Sequence, residues 1–364
     1  MSRHTRAIIN LSHIKSNFKT ANQWAPDSKN MAIIKANAYG HGLIETAKSL
    51  EPLVPAFGVA IFEEAIALRD SGIKKDILVL QGVSSVDDLL QASEKKVWLT
   101  IHNPLQLKLV LENPQNNKVT VWLKLDTGMH RLGFDHKDLI LALKQLKKCQ
   151  WVDELIVISS HFSCASEINN EENQHQVEAF NATRLALAEN KNIQFSLSNS
   201  PAIVSLPNAN FDWNRPGIML YGLPLFDGPH SSDQQLYPAM TFESRIIGLR
   251  KVNQGEYVGY GQGWRAERNS KIATVEVGYA DGYPRQAKTG TPVLVNGVKA
   301  GLVGVVSMDL ISIDVTDIPD VSIGDLVELW GEQLCANEVA SYADTIGYDL
   351  ISSVSQRVPR IFLE

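Results

Sequence analysis

Lys35 closes an apolar run, residues 31–36, and heads the octapeptide Lys35-Ala36-Asn37-Ala38-Tyr39-Gly40-His41-Gly42. A lysine at the end of a buried strand is difficult to keep solvated. Desolvation disfavours the ammonium form and lowers the pKa, as Schiff-base chemistry with a carbonyl requires. The same side chain could instead snorkel at the strand end or pair with a carboxylate. Ser200 precedes Pro201 and Gly217 follows Pro216; each stands where a phosphate could be held, since glycine lets backbone N–H groups approach closely. Each also suits a plainer use, Ser200 as a helix cap and Gly217 as a turn. His161 ends the sixth strand-like run and reads either as a working imidazole or as a core histidine. Tyr260, between Gly259 and Gly261, fits a tight β turn with an exposed ring.

Those residues must be positioned by a frame, and the first two-thirds of the chain supplies its rhythm. Apolar runs occur at residues 31–36, 57–61, 77–80, 97–101, 119–125, 155–159, 194–197 and 217–221. Amphipathic stretches separate them, such as Glu63 to Arg69, followed by Gly72 where a helix would end. Strand-like and helix-like segments alternating in this way predict a (β/α)8 TIM-type barrel, with a doubly wound open sheet as the competing geometry. Barrel enzymes carry their chemistry at the C-terminal ends of the strands, with phosphate after strands seven and eight. Here the seventh and eighth runs lead to Ser200 and to Gly217-Ile218.

The composition changes near residue 228, where Gly228, Pro229, His230, Ser231, Ser232 and Asp233 cluster as in a linker. Beyond it, runs at 271–277, 292–295 and 326–329 separated by glycines predict a mostly antiparallel β domain. One helix-like segment, 336–346, interrupts them, with Asn337 near its start. The expected division is therefore residues 1–228 and 229–364.

Composition narrows the function classes. The 364 residues carry 34 Lys and Arg against 40 Asp and Glu, a net charge of −6, which argues against broad nucleic-acid binding. No apolar stretch approaches the ~18 residues of a membrane span, and polar Asn10, Ser12, His13 and Lys15 interrupt any signal-peptide core. Cys149, Cys164 and Cys335 are too few and too far apart for a disulfide framework or a zinc knuckle. The expectation is a cytoplasmic enzyme with neither membrane nor nucleic-acid partners. The run 259–263 falls short of a dinucleotide fingerprint, no P-loop or His-Glu-x-x-His is present, and Ser200 lies in no nucleophile elbow.

The octapeptide at Lys35 resembles the pyridoxal-phosphate lysine motif of bacterial alanine racemases, and the resemblance covers nearly the whole chain. It continues through Lys124-Leu-Asp-Thr-Gly-Met-His-Arg131-Leu-Gly, Asn199-Ser200 and Arg215-Pro-Gly217-Ile218-Met-Leu-Tyr-Gly. It extends to Gly259-Tyr260-Gly261, Gly278-Tyr279-Ala-Asp-Gly, Ser307-Met308-Asp309 and Arg357-Val-Pro-Arg360. The order and spacing of these blocks carry it. The resemblance implies pyridoxal 5'-phosphate on Lys35, its phosphate held by Tyr39, Ser200, Gly217, Ile218 and Tyr348, and a homodimer whose C-terminal domains complete each other's sites.

It also implies Arg215 against the pyridine nitrogen. Arginine essentially never gives up its proton, so it would leave that ring unprotonated, a weaker electron sink that favours reprotonation over transamination. Lys35 would be the base for the D-enantiomer and Tyr260, from the other subunit, the base for the L-enantiomer. A tyrosine base needs positive charge or a hydrogen bond to its charged form, and His161, among the cofactor contacts, would neighbour it. Arg131 would hold the substrate carboxylate with the Met308 amide beside it, a residue that outside its motif would read as core packing. Asp309 would also reach in from the partner. Lys124 would be carbamylated and orient Arg131, and Tyr279 would form part of the inner gate. The implied activity is interconversion of L- and D-alanine, supplying D-alanine for peptidoglycan. A racemase of broader specificity, a related-fold decarboxylase and a non-catalytic pyridoxal-phosphate carrier are the competing expectations. A one-domain carrier would need neither the C-terminal β domain nor the Tyr260 and Met308 blocks.

Overall fold

The computed structural model describes residues 3–364. Strands buried on both faces have no solvent side to present, so they pair in parallel beneath a coat of helices. The strands Ala56–Val59, Asp76–Val79, Val97–Ile101, Val119–Lys124, Val152–Ser159, Ile193–Asn199 and Trp213–Arg215 follow one another in that order across one sheet. Closure comes from residues 29–33. Lys29–Asn30 pairs with Trp213–Arg215, and Ala32–Ile33 pairs with Ala56–Val59. Only Met31 separates the two pieces, and its N–H donates to Asn214 O at 2.9 Å. They act as one strand bonded on both edges, so the sheet is the expected (β/α)8 barrel with eight staves. Its interior is filled by Met31, Ile33, Leu78, Trp122, Val157 and Trp213, with Trp98 edge-on to Trp213.

Two of the expected strands end elsewhere. The first stops at Ile33 rather than running to residue 36, because Ala36, Asn37, Ala38 and Tyr39 all have φ between 51° and 54°. The eighth is Trp213–Arg215, and the run at 217–221 is instead the 3-10 turn Ile218–Tyr221. Pro216 lacks the N–H that would continue the ladder.

The C-terminal part is mostly antiparallel, as expected. Six strands, Met240–Val252, Ser270–Val275, Ile311–Asp314, Val298–Val303, Pro292–Val295 and Leu326–Trp330, form a ring, because Met240–Val252 pairs with both Ser270–Val275 and Leu326–Trp330. The chain's first strand, Arg6–Asn10, lies in this sheet between Met240–Val252 and Arg360–Leu363, although a division at residue 228 groups it with the barrel. The expected helix-like segment 336–346 is helical only over Ala336–Ser341, and a second helix, Gly347–Ser353, begins just after it. Among the described residues no helix is long and apolar enough to cross a membrane.

Candidate active site

The C-terminal ends of the barrel strands surround a cavity of about 770 Å³. Lys35 enters it from a left-handed helical turn. Such a turn costs about 1–2 kcal/mol per L-residue, so its surroundings must impose it. Asn37 N donates to Glu64 Oε1 at 3.2 Å, Asn37 Oδ1 accepts from Leu43 N at 2.8 Å, and Gly42 N donates to Asn37 O at 3.0 Å. His41 Nδ1 donates to Tyr39 O at 2.9 Å, and Arg360 Nε donates to Gly40 O at 3.1 Å from the far end of the chain. Burial lowers the Lys35 pKa; Arg131 and Arg215 add to this, and Glu64 partly opposes it. A lowered pKa is what a lysine needs to act as a nucleophile or a base near neutral pH.

Four basic side chains, Lys35, Lys124, Arg131 and Arg215, line the cavity, and no carboxylate is among its described lining residues. Arg215 is buried, donating to Ser196 Oγ, to Ser160 O at 2.5 Å and to Leu197 O at 3.0 Å. Desolvation brings its pKa down to about 10, so it remains a cation at neutral pH. Lys124 falls to about 7, chiefly through desolvation and then through Arg215 and Arg131. His161 is held neutral, well below the usual imidazole range, by burial and then by Lys124, Arg215, Arg131 and Lys35. It can therefore accept a hydrogen bond but not supply a charge; the positive field comes from the lysines and arginines around it. An electropositive cavity of this kind suits a multiply anionic ligand.

One stretch of the cavity wall gathers the groups that could hold a phosphate. Ser200 Oγ accepts from Gly217 N at 2.8 Å and Met219 N at 3.3 Å. A Cβ on Gly217 would lie 2.8 Å from the Tyr39 hydroxyl, so only glycine leaves that space open. Tyr348 faces Tyr39 with ring centroids 6.3 Å apart, and Ile218 completes this stretch. Burial raises the Tyr39 pKa, with Tyr348 adding to it, and burial with Asp227 pushes Tyr348 up to about 12; both hydroxyls stay protonated and can donate. The helix cap at this point is Asn199, whose side chain accepts from Ala202 N at 3.2 Å. The capping role that Ser200 also suited thus falls one residue earlier, which leaves its hydroxyl to the cavity. The site therefore fits pyridoxal phosphate on its own chemistry: a lysine of lowered pKa, hydroxyl donors around a glycine, and an arginine that only donates.

Tyr260, Tyr279, Met308 and Asp309 do not line this cavity. Tyr260 tops the turn Tyr260–Gln262 with its side chain 72% exposed, and Met308 is 54% exposed rather than packed in the core. The positions that sequence reasoning missed are supporting ones. Gln176 is buried; its amide donates to His161 O at 3.1 Å and Thr127 Oγ1 at 3.3 Å and accepts from Ser163 N at 2.9 Å, joining two loops of the site. Glu64 and Ser196 support the Lys35 turn and Arg215 in the same way. Nothing local distinguishes these residues from ordinary helix and strand positions.

Comparison with known proteins agrees with this geometry. The family described as "Alanine racemase, N-terminal domain" matches residues 9–224, and "Alanine racemase, C-terminal domain" matches residues 239–362. A curated relative from Alteromonas mediterranea named "Alanine racemase" is 45% identical over 99% of both chains. One from Pseudomonas putida named "Alanine racemase, catabolic" is 41% identical over 99% of both. The crystal structure of a biosynthetic alanine racemase from Pseudomonas aeruginosa superposes with a TM-score of 0.95 at 42% identity, covering 100% of both chains.

Proposed function

This chain belongs to the alanine racemase family and is an amino-acid racemase, and we propose that it interconverts L- and D-alanine with pyridoxal phosphate in sites shared between two subunits. The observation that carries this reading is one cavity whose wall brings Lys35 and three further basic side chains together with Tyr39, Ser200, Gly217 and Tyr348. When bound, the cofactor supplies the electron sink that acidifies the α-hydrogen of an amino acid joined to it.

The chain's residues supply the rest. Tyr39, Ser200, Gly217, Ile218 and Tyr348 would hold the phosphate, and Lys35 would anchor the cofactor. Arg215, fixed on three acceptors, would face the cofactor ring as a donor that does not give up its proton, and so would favour simple proton return. Arg131 binds the substrate carboxylate with the amide of Met308 of the partner subunit. Lys35 removes or returns the proton on one face, and Tyr260 of the partner subunit does so on the other. Neutral His161 accepts from the Tyr260 hydroxyl, while the surrounding cations favour its ionised form. Tyr279 and Asp309 reach the same site from the partner, which accounts for their distance from the cavity of their own chain.

The direct test is incubation of cofactor-loaded protein with L-alanine in D₂O, followed by chiral separation and mass analysis. α-Deuterated D-alanine should accumulate toward an equal mixture of enantiomers. Alanine that stays unlabelled and L would overturn the assignment. In the cell the reaction would supply D-alanine for peptidoglycan; deletion in the source organism should then leave growth dependent on added D-alanine.

A second expected result concerns Lys124. With its pKa near 7, about half of the amine is neutral at that pH and can attack CO₂. An N–C bond forms, a proton leaves to solvent, and the carbamate anion is stabilised by Arg131, Arg215 and Lys35. Gently handled protein should carry an extra ~44 Da at this lysine. The sign of the pH dependence follows from the ammonium being unreactive: occupancy should fall as the pH drops below about 7. A native mass spectrum without the adduct at pH 8 in bicarbonate would remove carbamylation from the scheme.

A further inference from the structure

Asp281 plays no part in the chemistry above, yet its carboxylate is wholly buried and accepts four hydrogen bonds. Arg3 Nη1 and Nη2 reach its two oxygens at 2.5 and 2.6 Å, a bidentate pair from the start of the chain. Arg357 Nε reaches Oδ1 at 2.7 Å from near its end, and Gly278 N reaches Oδ2 at 2.9 Å. Arg357 Nη2 goes on to Asp309 Oδ1 at 2.6 Å. Burial alone would raise the pKa of this carboxyl; the bonds from Arg3, Arg357 and Gly278 overcome that and hold it below the usual range. A buried charge is tolerated only when it is paired and hydrogen-bonded, as this one is.

It grips two segments at once. Tyr279 N donates to Ser307 O and Ala280 N to Met308 O, both at 3.0 Å. A Cβ on Gly278 would lie 2.3 Å from Met308 O, so the two backbones touch directly. The side chains that this unit presents outward are Tyr279 and Met308, which are 38% and 54% exposed.

We propose that Asp281, clamped by Arg3 and Arg357 and coupled through Arg357 to Asp309, is a positioning residue that sets Tyr279 and Met308 at the working height for the partner subunit's site. This rests on the shared-site reading given above. The clamp acts in trans: it belongs to one subunit and serves the substrate bound by the other. None of its members lines the cofactor cavity of its own chain. Its loss therefore affects substrate handling and leaves cofactor binding intact.

The test uses full-length, cofactor-loaded dimers. Asp281→Asn should keep the visible absorbance of bound cofactor and its elution as a dimer while losing ~10–100-fold in kcat/KM for alanine, the scale of a displaced positioning group. Hybrid dimers carrying two affinity tags then separate trans from cis action. In a Asp281→Asn/Lys35→Ala hybrid, one site combines an intact Lys35 with an intact clamp, so activity should return to about half that of the unmodified dimer. A Tyr260→Phe/Lys35→Ala hybrid is the control for the shared site. Recovery in the control but not in the Asp281 hybrid overturns the clamp and leaves the shared site standing. Recovery in neither overturns the shared site and the clamp with it. Arg3→Ala, which removes only the bonds from the chain's start, provides the same series if Asp281→Asn does not fold. Unchanged alanine kinetics in either folded variant also overturn the proposal.

Discussion

Lys35→Ala protein is expected to fold, to lose the visible absorbance of bound cofactor and to lose racemisation by more than ~10⁴-fold. A positioned general base alone contributes up to about that factor, and this lysine is also proposed as the anchor that holds the cofactor in register with the substrate. The fold should survive because the side chain makes no ion pair or hydrogen bond among the described residues. Removing it also relieves a repulsive cluster, since Lys35, Lys124, Arg131 and Arg215 all face one cavity. A thermal melt of the cofactor-free variant at or above that of the unmodified apoprotein would agree with that account. Substantial turnover by the purified variant would remove Lys35 from its assigned role.

Tyr260→Phe carries the second large effect, and its signature is asymmetric. The enantiomers have equal free energy in solution, so kcat/KM for racemisation must fall equally in both directions, by ~10²–10⁴-fold for loss of one base. Hydrogen exchange need not fall equally. With Lys35 intact, D-alanine should still wash its α-hydrogen into D₂O without inverting, while L-alanine should retain its own. Equal exchange from both enantiomers would remove Tyr260 from the two-base scheme. The turn that carries Tyr260 projects it into solvent in the single chain, so the variant should leave folding and cofactor absorbance unchanged.

Lys35 at a strand end, Ser200 and Gly217 after the last strands, and a change of rhythm near residue 228 could be read from residue types and spacing, whereas Arg131 and Arg215 stood out only through the resemblance of their motifs to a known family. Burial on both faces leaves continuous apolar runs, and a lysine after such a run advertises desolvation wherever the strand ends up. Pairing is different, because it joins residues far apart in sequence. No local pattern announces that residues 29–33 bond to strands on both sides and so close the barrel, or that Arg6–Asn10 leaves the barrel for the C-terminal sheet. The left-handed turn at Ala36 to Tyr39 runs against the preference of its own residues and exists because Glu64, His41 and Arg360 hold it. Asp281 is one more aspartate in the sequence until folding brings residues 3 and 357 to it. The sequence by itself determined which chemistry the chain could carry, because side-chain chemistry and burial period are local. The tertiary structure alone decided the field that tunes it and the clamps that aim it, because both are sums over residues that only the fold makes neighbours.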